Sequence, residues 1–172
     1  MNLIKKQGVG AWISVGAVLL SVIALIIYGS ALGKGMDLII TEGSQPFYEA
    51  TRPEDSKMMT MVVACGVIAL VFIVAALVLG QFKFEGIGGK VCDGVVGAAR
   101  IVASALLIVA FIYFLYGSFT GLGWTFFSNA ELEIAPEAIA VGKQVITGAV
   151  FFVIAAVAAI VASFFKLVKE DR

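Results

Sequence analysis

The sequence predicts an all-α integral membrane protein of four transmembrane helices, arranged as two helical hairpins repeated in parallel within a single domain. Three observations carry this expectation. Of the 172 residues, 61% are apolar and only 14% charged, far from the balance of about half and a quarter in soluble domains. The charged residues are clustered, and the chain partly repeats itself.

Four stretches carry no charge: Ala11 to Gly33, Met58 to Gln81, Ile101 up to Glu131, and Gln144 to Phe165. Each can cross a hydrocarbon layer of ~30 Å as a helix, which takes about 20 apolar residues. The runs Val62 to Leu79 and Val150 to Phe165 lack the alternation of a barrel wall. Helices are therefore expected, since in lipid a helix alone satisfies its own backbone hydrogen bonds. Lys5 and Lys6 before the first run, and Gly29-Ser30-Ala31 after it, resemble a secretory leader. The run outlasts the ~7 to 15 apolar residues of such leaders and is read as a retained span.

The second and fourth spans begin at Pro53-Glu54-Asp55 and Pro136-Glu137. Proline suits the first helical turn and carboxylates suit its positive dipole end. Both helices are expected to project beyond the membrane. Between the second and third spans, Gln81 to Arg100 is rich in glycine. Its Gly86-Ile87-Gly88-Gly89-Lys90-Val91 lacks the spacing and the hydroxyl of a phosphate-binding loop and is expected to be a flexible connector.

Orientation follows from the basic residues, because short loops rich in Lys and Arg stay cytoplasmic. Lys5, Lys6, Lys83, Lys90, Arg100, Lys166, Lys169 and Arg172 fall on one side. Lys34, Arg52, Lys57 and Lys143 fall on the other, beside Asp37, Glu42, Glu49, Glu54, Asp55, Glu131, Glu133 and Glu137. The expected protein is a multi-pass protein of the cell membrane with N- and C-termini in the cytoplasm. Tyr28, Tyr116, Trp124, Phe126 and Phe127 are expected at the outer interface, and Trp12, Phe82, Phe84, Phe164 and Phe165 at the inner one.

The repeat is carried by Tyr28-Gly29-Ser30-x-x-Gly33-x-Gly35, which recurs as Tyr116-Gly117-Ser118-x-x-Gly121-x-Gly123. At the same offset Ala11, Ile13, Ala17 and Leu19 match Ala99, Ile101, Ala105 and Leu107. Residues 4–81 and 92–169 then form two units entering the membrane in one direction, with Tyr28 equivalent to Tyr116.

No span holds an ionisable residue in its core, and the chain has no histidine. Intramembrane charges mark proton relays and ion paths, and histidine is the commonest acid–base group and metal ligand. No catalytic residue, cofactor or metal site is expected, and no nucleic-acid partner. Cys65 lies in a span and Cys92 in the following loop, with no Cys-x-x-Cys pair. The spans instead carry small residues at helical spacing, which allow helix backbones to approach closely in lipid. The helix-packing candidates are Gly29, Gly33, Gly117 and Gly121, then Ala155, Ala159 and Ser163. Helix termination at the membrane surface is the competing role of the glycine pairs. The few polar residues inside the spans are Ser14, Ser21, Thr60, Ser104, Tyr113, Thr147 and Ser163; hydroxyls of this kind are expected to bond back to the preceding turn, the alternative being a weakly polar seam between helices.

The functional expectation is a non-enzymatic packing or accessory subunit of a membrane assembly, its partners being the lipid bilayer and either copies of itself or other membrane subunits. The alternative is a small oligomeric channel or facilitator with its pore between subunits.

Overall fold

The computed structural model describes residues 7–42, 53–82, 86–127 and 136–168. Among these residues there are four helices: α1 (Val9–Glu42), α2 (Pro53–Leu79), α3 (Gly86–Phe127) and α4 (Pro136–Ser163). All four are long and apolar enough to cross a bilayer. The protein is an all-α, multi-pass membrane protein. α2 and α4 start on the two prolines that the sequence marked.

Two segments depart from expectation. The glycine-rich stretch before Arg100 is not a connector, because α3 is helical from Gly86 onward. Gly86 itself, at φ 70°, makes the entry into α3 in a backbone conformation that a side chain would strain. Exposed Ile87, Val91 and Val95 continue the lipid face of α3 down this extension. At an apolar boundary an open backbone group costs several kcal/mol, more than the ~1 kcal/mol by which each glycine disfavours helix. The glycine pairs, likewise, end no helix: α1 runs past Gly29 and Gly33 to Glu42, and α3 runs past Gly117 and Gly121 to Phe127.

α1 packs chiefly along α4 and α2 along α3; α3 also packs on α4, while α1 and α2 meet least. Each hairpin is thus completed by the other, and the first is the more open. The core forms three layers. Toward the acidic loops Tyr28, Phe114 and Phe152 fill a wide layer with Val62, Cys65, Val145 and alanines. The middle layer is narrow, with Ala17, Ala69, Ala103, Ala155, Ala156 and Ala159 around Ile73 and Leu107. Ala11, Ala76, Val96 and Leu167 close the other end. Small residues dominate because, with lipid as solvent, association rests on close van der Waals contact.

Burial follows a register different from the 88-residue one. Tyr28 is 1% exposed and Tyr116 70%; Leu19 is 59% exposed and Leu107 0%. The expected equivalences therefore fall on opposite faces. Buried residues recur two positions earlier, as Ala17 and Ala103, Ser21 and Leu107, Ala24 and Ala110, and Tyr28 and Phe114. The same spacing relates α2 to α4, through Ala69 and Ala155, Ile73 and Ala159, and Ala76 and Ala162. It also superimposes Val67-Ile68-Ala69 on Val153-Ile154-Ala155. Tyr28 and Phe114 meet each other across the bundle, ring centroids 4.8 Å apart. Tyr28 is accordingly a core residue and not part of an interfacial belt.

Candidate functional site

The interior is closed by its own chemistry. Ser14 donates to the Gly10 carbonyl at 2.7 Å, Ser21 to Ala17 at 2.8 Å and Ser104 to Arg100 at 2.9 Å, and Ser118 donates to Phe114. Each of these four buried serine hydroxyls is satisfied within its own helix. Thr147 and Ser163 do the same nearer the surface. Ser118 was legible as part of the repeated Tyr-Gly-Ser but not as a core residue. Among the described residues, no three His, Cys, Asp or Glu side chains gather as a metal-ion site would need.

The polar structure concentrates where both ends of the described chain meet the α2–α3 connection. Gly8 N–H donates to the Leu167 carbonyl at 2.7 Å and Gly10 N–H to Lys166 at 3.2 Å. The free N–H groups at the start of α1 are thereby satisfied by the segment that follows α4. A Cβ on Gly8 or Gly10 would run into that segment's backbone, so the close approach requires glycine. Gln7 and Gln81 exchange side-chain amide bonds at 2.8 and 3.1 Å, tying α1 to the end of α2. Arg100 donates to the Phe165 carbonyl at 3.1 Å and to that of Ala162. Its guanidinium caps the last turn of α4, where the helix dipole favours a cation. The sequence placed Arg100 among the topological charges and held no signal for this capping role, since the partners are backbone atoms more than sixty residues away.

The helix-packing candidates separate into two groups. Ala155 (0% exposed) and Ala159 (5%) lie in the alanine layer. Ser163 is half-buried and donates to Ile160 at 2.6 Å. Gly117 is half-buried, and the surroundings of Gly121 lie outside the described residues. Gly29 and Gly33 are exposed, and a Cβ on either would meet nothing within 4 Å. Among the described residues they pack on nothing. Together with Trp12, Val15, Leu19, Val22 and Ile26 they form an exposed line at alternating three- and four-residue spacing along α1. That spacing is the seam geometry of packed helices. Comparison with protein-family models, curated proteins and solved structures finds no match to this chain.

Proposed function

We propose that the protein is a non-enzymatic packing or accessory subunit of an assembly in the cell membrane, associating with copies of itself or with other membrane subunits. The observation that carries this reading is the α1 seam ending in Gly29 and Gly33. It offers an apolar face at helix-packing spacing, with open space over both glycines. Small residues at such a place let a second backbone come close, where dispersion is the driving force. The satisfied interior hydroxyls also support it, because a pore or a reaction site within one chain would need polar groups turned inward.

The test pairs glycine and carboxylate variants. Gly29→Leu and Gly33→Leu should lower the recovery of the complex in mild detergent on the order of tenfold, as expected for losing ~1–2 kcal/mol at a helix interface. Both sites are open in the isolated chain, so its fold should be retained. Gly117→Leu is less clean, since that glycine is half-buried. Glu42→Gln, Glu131→Gln and Glu133→Gln should each cost under ~1 kcal/mol. Intact complexes in the glycine variants, with a growth or transport defect in a carboxylate variant, would favour the oligomeric channel.

The same reading places both ends of the chain in the cytoplasm, from the distribution of basic residues. Reporter fusions after Glu49 and Glu133 should read as external and one after Lys90 as cytoplasmic. An external Lys90 fusion would reverse the orientation.

A further inference from the structure

A lateral cavity of about 330 Å³ lies between α3 and α4, lined by Phe111, Leu115 and Leu122 on one side and by Ile146, Val150 and Ile154 on the other. Ala149, 8% exposed, forms its floor. Every lining residue is apolar, and all but Leu122 belong to the segments of α3 and α4 that are apolar enough to span a membrane. The volume holds roughly ten groups of methylene or water size at ~30 Å³ each. That suits a length of acyl chain and is far too little for a helix, which is ~10 Å across.

The sequence of α4 supplies a second feature. Lys143 lies three and seven residues before Ile146 and Val150, and so on the same helical face, at the mouth nearer the acidic loops. It is exposed, and among the described residues its ammonium has no carboxylate partner. Thr147, also exposed on this face, turns its hydroxyl back to the Lys143 carbonyl at 2.8 Å. From Lys143 to Ile154 the helix rises ~16 Å, the depth of one leaflet of a ~30 Å hydrocarbon core. A cation at headgroup level above an apolar channel one leaflet deep has the charge and length of an anionic amphiphile.

We propose that this groove binds one anionic phospholipid, with the phosphate at the Lys143 ammonium and an acyl chain along Leu115, Val150 and Ile154. The site is on the α3–α4 side and does not depend on the α1 seam. Lipid selection comes from the single positive charge, chain retention from the shape.

The test is native mass spectrometry of the purified protein with phosphatidylglycerol or phosphatidylcholine of identical chains. The unmodified protein should retain one phosphatidylglycerol in preference to phosphatidylcholine. Lys143→Gln should lower phosphatidylglycerol retention about fivefold, to the phosphatidylcholine level, as expected for one lysine near a membrane surface. Val150→Phe, at a half-exposed wall position, should fill the groove and lower retention of both lipids; Ile146→Phe provides a second such variant. Leu19→Phe on the exposed face of α1 should change neither. Equal retention of the two lipids by the unmodified protein would overturn the proposal. So would undiminished retention in Lys143→Gln or in both wall variants, displacement of the lipid by inorganic phosphate alone, or a second protein chain found cross-linked through Val150.

Discussion

Phe114→Ala should destabilise the bundle by about 2–2.5 kcal/mol, the largest loss expected from a single core truncation. Phe114 is 1% exposed and stands between Tyr28, at 4.8 Å, and Phe152, at 5.7 Å between ring centroids. Removing the ring leaves a void of roughly 100 Å³ in the widest layer, at ~24 cal/mol per Å³. The value is smaller than the ~3–5 kcal/mol usual in water-soluble cores. Separated helices here already lie in lipid, so no transfer from water adds to the lost dispersion. Phe114→Leu should recover about half, and Phe119→Ala, 76% exposed in the native protein, should cost little. Unfolding of the purified protein by heat or by sodium dodecyl sulfate measures all three. A Phe114→Ala midpoint equal to that of Phe119→Ala would mean that the aromatic layer does not hold the four helices together.

Arg100→Met should cost about 2 kcal/mol and act at a distance. Hydrogen bonds to a charged group contribute ~1.5–3 kcal/mol each, but the Ala162 and Phe165 carbonyls sit at a helix end that water partly reaches, which offsets part of the loss. The distinguishing consequence is in the neighbouring backbone. Without the guanidinium the segment after α4 loses its hydrogen bonds to α3 and keeps only the packing of Leu167, and that segment supplies the carbonyls bonded to Gly8 and Gly10. Their amides should exchange with solvent hydrogen faster in Arg100→Met, while those of the alanine layer stay protected. Arg100→Lys should fall between, because one ammonium keeps the charge but cannot span two carbonyls as the guanidinium fork does. Unchanged exchange at Gly8 and Gly10 would show that the closure at this end does not depend on Arg100.

How much of the molecule was legible in the sequence depends on the interaction concerned. Helix number, the two proline starts and the back-bonding of the serines rest on the local chain and its solvent. A long uncharged run has to be helical in lipid, and a serine can reach the carbonyl four residues earlier without any partner. The glycine-rich start of α3 is not legible as helix, because glycine and charge signal a loop in water. Beside an apolar face the cost of open backbone groups reverses that preference.

Facing could not be read from the sequence. The identities 88 residues apart join Tyr28 to Tyr116, whereas burial joins Tyr28 to Phe114. Two residues turn a helix by ~200°, which exchanges the lipid side for the core side. Lipid and core are equally apolar, so no change of residue polarity marks which face is which. A soluble helix shows its inward side in an amphipathic pattern; here small side chains and shape carried that information. The sequence by itself therefore determined that this chain forms four spanning helices and where two of them start, because those follow from hydropathy and backbone satisfaction along the chain. Only the tertiary structure decided that α1 leans on α4, that Arg100 caps a helix far away in sequence and that Gly29 is left open, because these depend on which apolar surfaces fit each other closely.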